Sequence, residues 1–133
     1  MGHKQMSAND KQFGGDHYKN PNAEEHWDFT WRMRYNQFEY CATKYVLRCW
    51  KKNGLQDLEK ARHHLEKYLE VGPEIKLSCI QDMVRFQMAY ELVAEQRNIL
   101  NLIHVGLIET AIGLLDIYIE SHELPRTYVN PDL

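Results

Sequence analysis

The clearest structural signal in this sequence lies in residues 37–71, which read QFEYCATKYVLRCWKKNGLQDLEKARHHLEKYLEV. Before Asn53-Gly54, apolar residues recur with helical spacing and predict a helix over residues 37–52. After that pair, a second apolar stripe predicts a helix over residues 55–71, which Gly72-Pro73 ends. Because glycine suits the left-handed position after a helix and the link is short, the two helices are predicted to form an αα-hairpin.

Further helical patterns flank this hairpin. Residues 23–34 predict a helix before it, and residues 78–96 and 100–122 predict two helices after it. Gly106 and Gly113 are seven residues apart, so both would lie on one side of the last helix and allow another helix to approach closely. No run alternates as a strand does. The predicted fold is all-α: a small helical bundle built on an αα-hairpin, with an irregular N-terminal arm and two long apolar C-terminal helices.

The predicted organisation has three parts within 133 residues. Residues 1–22 form an irregular glycine-containing arm, residues 23–72 a helical hairpin core, and residues 73–133 a two-helix C-terminal extension. The extension belongs to the same domain or serves as an oligomerisation element. Its apolar surface exceeds what one hairpin can cover, which favours a homo-oligomer over a monomer in which it packs on the preceding helices.

Composition argues for a soluble, cytoplasmic protein. The net charge is -3, so the whole molecule gives no DNA-binding signal. The most apolar stretch, residues 99–119, contains Glu109 and Asp116, which disfavour a membrane span. The N-terminus lacks the apolar segment of a signal peptide. Three cysteines without C-x-x-C spacing favour reduced thiols over a metal site.

The clearest chemical pattern is a basic row on the second predicted helix. Lys44, Arg48 and Lys51 are spaced four and three residues apart and fall within a narrow sector of the helix. Such a row can grip phosphate, because arginine offers a bidentate fork and lysine a point charge. The alternative is a solvated basic face without a ligand.

A second pattern lies in the N-terminal arm, where Gly14, Gly15, Asp16, His17 and Tyr18 follow one another. The glycines let backbone N–H groups approach a ligand closely. The aspartate could orient an imidazole, the histidine could act as a general base, and the tyrosine could stack on a nucleobase. The alternative is a turn with incidental polar residues.

Two more residues open the helix that follows Gly54. Asp57 and Lys60 would lie near the basic row, or they could simply be a first-turn dipole residue and its neighbour. His63 and His64 are adjacent and point in different directions, which favours a structural role. His104 is predicted to be buried and hydrogen-bonded.

Several enzyme signatures are missing from the sequence. It has no G-x-x-x-x-G-K-[ST] loop, which excludes a P-loop kinase. Glu91 and Glu95 are four apart, and Glu109 and Asp116 are seven apart. These spacings do not fit the E-x-x-E and E-x-x-D pairs of all-α, magnesium-dependent nucleotide pyrophosphatases. No metal site is predicted.

These motifs, in this order, resemble one known family. The motifs are QFGGDHYK at residues 12–19, KYVLR at 44–48, KKNG at 51–54 and DLEKA at 57–61, followed by Leu65. They look like the opening and helical-hairpin motifs of the phage domain of unknown function 3310 family, which includes the nucleotide kinase of T7-like phages. The resemblance covers residues 12–72, about half of the chain.

The resemblance implies a phage protein that handles nucleotides in the cytoplasm of an infected bacterium. The kinase member acts on deoxynucleoside monophosphates without a Walker loop and is an oligomer. By this resemblance His17 and Asp16 would be catalytic, positioning or deprotonating the phosphate acceptor. The ligand-binding residues would be Gly14, Gly15, Tyr18, Lys44, Arg48, Lys51, Asp57 and Lys60.

Three functions are compatible with these residues. The leading one is a nucleotide-binding protein, with a non-Walker nucleoside monophosphate kinase as its enzymatic form. Such a kinase would use a nucleoside triphosphate as phosphoryl donor, and the sequence does not decide whether magnesium is required. The alternatives are a non-catalytic sponge that sequesters a host nucleotide defence signal and a helical protein-interaction module.

Overall fold

The computed structural model describes residues 23–49, 54–73, 76 and 79–121. Within those ranges the chain forms helices and no strand, which confirms the predicted all-α fold. The helices are α1 (His26–Arg32), α2 (Gln37–Arg48), α3 (Leu55–Val71), α4 (Ile80–Gln87), α5 (Ala94–Val105) and α6 (Ile108–Ser121).

The predicted hairpin is confirmed and consists of α2 and α3. Helix α2 begins with a capping box, because the Asn36 side chain accepts hydrogen bonds from the N–H groups of Phe38 and Glu39, and the Glu39 carboxylate accepts one from Asn36. It ends at Arg48, earlier than the predicted residue 52. Helix α3 has the predicted bounds, and Gly72 follows it with φ of 93°.

The C-terminal helices cover the hairpin. Helix α6 packs on α3, and α5 packs on both α2 and α4. One continuous apolar core joins them, and its side chains without solvent exposure include Val46, Leu58, Leu65, Met83, Ile99, Ile103 and Leu115. The stacked rings of Phe29 and Phe86, with centroids 4.3 Å apart, fix α1 against α4.

The prediction of two long C-terminal helices is wrong, because three shorter helices occupy that part of the chain. Gly106 ends α5 with φ of 86°, and its N–H donates to the Ile103 carbonyl. The helix predicted over residues 78–96 instead ends at Gln87. There the Tyr90 hydroxyl donates to the Glu24 carbonyl at 2.6 Å, and Leu92 is buried in the core. Tertiary contacts therefore override helical periodicity in residues 88–93.

The interpretation of Gly113 as a site of close helix approach is also wrong. Gly113 is exposed on α6, and a Cβ atom added there would have no heavy atom within 4 Å. The two glycines that looked equivalent in sequence thus differ, since Gly106 terminates a helix and Gly113 lies inside one.

Two other features bear on the sequence predictions. None of the helices in the described part of the chain has the length and apolar character needed to span a membrane. The three cysteines are all free thiols; Cys49 is buried, Cys41 partly buried and Cys79 exposed.

The two glycines provide opposite predictions for stability. Gly106→Ala should lower the free energy of unfolding by about 1 kcal/mol, because alanine is strained in the left-handed region. Gly113→Ala should raise it by roughly 0.5–1 kcal/mol, because alanine is the better helix former and has open space there. Urea unfolding followed by circular dichroism measures both free energies. Changes of the same sign would contradict the role of Gly106 as the residue that ends α5.

Candidate functional site

The turn of the hairpin brings the end of α2 beside the start of α3. The N–H of Gly54 donates to the Cys49 carbonyl at 2.8 Å, and the carbonyl of Gly54 accepts from Asp57 at 3.0 Å. Asp57 is fully buried, and its two carboxylate oxygens each accept a hydrogen bond from Arg48 at 3.2 Å. This bidentate arrangement holds the guanidinium in one orientation, because its Nε and Nη2 groups both donate to the same carboxylate.

Cations from both helices gather around the ring of Tyr45. The Arg48 guanidinium carbon lies 5.1 Å from the ring centroid, the Lys60 ammonium 5.5 Å and the Lys44 ammonium 6.0 Å. These distances are within reach of a cation–π attraction, which favours a positive charge near an aromatic face. Tyr45 therefore organises positive charge from two different helices at one place.

A histidine completes this group. The imidazole of His64 lies 5.7 Å from the Tyr45 ring, and its Nδ1 donates to the Lys60 carbonyl at 2.8 Å. With Nδ1 as the donor, the neutral ring keeps Nε2 as an acceptor. We call Tyr45, Lys44, Arg48, Lys60 and His64 together the Tyr45 cluster. All five residues are partly buried, so the cationic groups of the lysines and the arginine are incompletely hydrated.

The charge balance of the Tyr45 cluster is positive. Among the described residues no carboxylate forms an ion pair with Lys44 or Lys60, whereas Arg48 is paired with Asp57. A local excess of positive charge on a protein of net charge -3 is suited to an anion that supplies several acceptor oxygens.

A shallow pocket of about 280 Å³ continues from the cluster along the hairpin. Its lining residues are Gln37, Phe38, Cys41, His63, His64 and Lys67. His64 belongs to both the pocket and the Tyr45 cluster. The groove between α2 and α3 therefore combines cationic, imidazole and aromatic groups along one face of the hairpin.

The structure brings together four of the residues predicted for the site, namely Lys44, Arg48, Asp57 and Lys60. Asp57 is buried behind Arg48 and acts by orienting it. The remaining predicted residues, Gly14, Gly15, Asp16, His17, Tyr18 and Lys51, lie outside the described part of the chain.

Sequence reasoning missed Tyr45 and His64 as members of the site. Tyr45 falls within the apolar stripe of residues 37–52, so its spacing alone predicts a core side chain, and the adjacency of His63 and His64 favours a structural role for His64. The available signal was spacing, because Lys60, His64 and Lys67 recur at intervals of four and three on one face of α3. That face is the one that α3 turns toward the groove.

Other candidate residues have structural contacts. The predicted burial of His104 is confirmed: its Nδ1 accepts from the Tyr35 hydroxyl at 2.5 Å, its Nε2 donates to the Cys79 carbonyl, and burial lowers its pKa. Asp116 forms an ion pair with Arg62. In the described ranges, histidine, cysteine and acidic residues form no group of three that could hold a metal ion.

Comparisons with protein-family models, with curated proteins and with solved structures find no match to this chain.

The buried ion pair at the hairpin turn yields a stability prediction. Asp57→Ala should cost about 3 kcal/mol in the free energy of unfolding, because it leaves the largely buried Arg48 without its carboxylate. Glu70→Ala is the matched control, since Glu70 forms an exposed pair with Lys67 on the same helix and should change stability by less than about 0.5 kcal/mol.

Chemical unfolding of both variants, and of Asp57→Ala combined with Arg48→Met, measures this effect. The double variant should recover part of the lost stability, because it also removes the orphaned charge. Equal, small effects for Asp57→Ala and Glu70→Ala would contradict the assignment of Arg48–Asp57 as the pair that holds the turn.

Proposed function

We propose that this chain is a phage nucleotide-binding protein that holds the phosphate groups of its ligand at the Tyr45 cluster. The observation that carries the proposal is the convergence of Lys44, Arg48 and Lys60, from two helices, on one aromatic ring. A phosphate carries close to two negative charges at neutral pH and offers three strong acceptor oxygens, which matches a site with several cationic donors.

The roles of the cations differ. Arg48 is held by Asp57, which fixes the orientation of a planar guanidinium of the kind that suits phosphate. Lys44 and Lys60 are flexible point charges that can follow the phosphate oxygens. The resemblance adds Lys51 and the backbone amides of Gly14 and Gly15 to the same phosphate site.

Catalysis is the enzymatic form of this proposal. In it the chain is a non-Walker nucleoside monophosphate kinase, His17 and Asp16 position or deprotonate the acceptor, and Tyr18 stacks on its base. Phosphoryl transfer depends mainly on positioning and charge stabilisation, which a cluster of oriented cations supplies. A nucleoside triphosphate would be the phosphoryl donor.

A non-catalytic sponge for a host nucleotide signal would use the same cluster. The two forms are separated by incubating the protein with a nucleoside monophosphate and triphosphate and then analysing the nucleotides after denaturation. Formation of a diphosphate supports the kinase, whereas recovery of unaltered, tightly bound nucleotide supports the sponge.

Affinity measurements on lysine variants test the phosphate site. Lys44→Ala and Lys60→Ala should each weaken nucleoside monophosphate binding roughly 10-fold, because each removes a charge-assisted contact. Arg97→Ala is the control, since it removes an exposed positive charge on α5, away from the hairpin and its pocket. Calorimetric titration at two salt concentrations measures all three, and equal affinities for the three variants and the wild type would contradict the proposal.

We also propose that the chain forms a homo-oligomer through an apolar row formed by α4 and its C-cap residue Met88. Ile80, Val84 and Met88 are spaced four residues apart and all three are exposed, Met88 by 80%. Such a row is typical of a face that another helix covers.

Sedimentation velocity tests the oligomer. Met88→Glu should convert it to a monomer, whereas Ile117→Glu, at an exposed position on α6, should leave its state unchanged. A monomeric wild-type protein, or an oligomer that is indifferent to Met88→Glu, would contradict this interface.

A further inference from the structure

A small pocket lies between residues of α1 and α2, and Lys44 is one of its lining residues. Its volume is about 140 Å³, and its lining residues are Glu25, His26, Trp27, Tyr40, Lys44 and Leu47. Lys44 is thus shared between this pocket and the Tyr45 cluster, because its ammonium also lies 6.0 Å from the Tyr45 ring. The two sites are neighbours across a single side chain of α2.

The inner wall of the pocket is a fixed, uncharged aromatic surface. The rings of His26 and Tyr40 lie 5.0 Å apart, and His26 Nε2 is 2.7 Å from the hydroxyl of Thr43. That hydroxyl donates to the Glu39 carbonyl at 2.8 Å, so it accepts the hydrogen bond from the imidazole. Burial and the charge of Lys44 lower the pKa of His26 to about 3, which keeps the ring neutral at physiological pH.

Trp27 also lines the pocket, and this residue is 46% exposed. Two polar groups complete the lining, the carboxylate of Glu25 and the ammonium of Lys44. The volume is below the roughly 300–1,000 Å³ of sites for drug-sized ligands, so the pocket has room for one flat ring system. Aromatic walls favour such a ring, because every nucleobase presents a π-face for stacking.

We propose that this pocket holds the base of the bound nucleotide, with Trp27 and Tyr40 against the ring and Glu25 accepting N–H donors from its edge. This assignment rests on the proposed phosphate site, since Lys44 leads from the pocket to the Tyr45 cluster. A carboxylate favours a base with adjacent N–H donors. Guanine presents its ring N–H and amino group side by side, whereas uracil presents one N–H between two carbonyl oxygens that a carboxylate repels.

The test compares guanosine monophosphate with ribose 5-phosphate, which has the phosphate and sugar but no base. Trp27→Ala should weaken binding of guanosine monophosphate roughly 10-fold and leave binding of ribose 5-phosphate unchanged. Trp31→Ala is the matched control, because this tryptophan is one turn further along α1, is 86% exposed and does not line the pocket. It should change neither affinity.

The binding of ribose 5-phosphate also reports whether the Trp27→Ala protein is folded. Ribose 5-phosphate binding as tight as that of guanosine monophosphate, or a ratio of the two affinities that Trp27→Ala does not change, would overturn the base pocket. Failure of both ligands to bind the wild-type protein would instead overturn the phosphate site. Wild-type protein should also prefer guanosine over uridine monophosphate, and Glu25→Gln should reduce that preference; equal affinities would overturn the role of Glu25.

Discussion

The ion pair between Arg48 and Asp57 is the constraint on which the hairpin and its surface depend. A carboxylate without solvent exposure is strongly unfavourable unless it is paired, and here both of its oxygens accept from one guanidinium. The pair joins the last turn of α2 to the first turn of α3 across the turn at Gly54. It thereby sets the rotation of each helix about its own axis, and this rotation decides which side chains face the groove.

The positive surface of the hairpin follows from that rotation. Once Arg48 is fixed, Tyr45 lies one turn before it on α2, and Lys60 lies one turn after Asp57 on α3. Lys44 lies 6.0 Å from the Tyr45 ring and also lines the pocket between α1 and α2, so the two sites share this side chain. We propose that these two neighbouring sites hold the anionic end and the flat aromatic end of a nucleotide.

Local signals in the sequence were sufficient to predict the hairpin and much of its cationic face. Asn53-Gly54 and the two apolar stripes predicted both helices, and the spacing of Lys44 and Arg48 placed them on one surface. The pairing of Arg48 with Asp57 depends on the axial register of two helices, which periodicity within one helix does not contain. The break between α4 and α5 depends on contacts of Tyr90 and Leu92 with distant residues, so the periodic pattern alone predicted a continuous helix there.

The most direct test of this account is nuclear magnetic resonance of the Arg48 side chain in the full chain. The Nε–H signal, assigned by its loss in Arg48→Lys, should shift as a nucleoside monophosphate is added and stay unchanged when the unphosphorylated nucleoside is added at the same concentration. That result would place the phosphate at the guanidinium that Asp57 holds. A nucleotide that binds without moving the Arg48 signal, or that does not bind at all, would contradict the central claim.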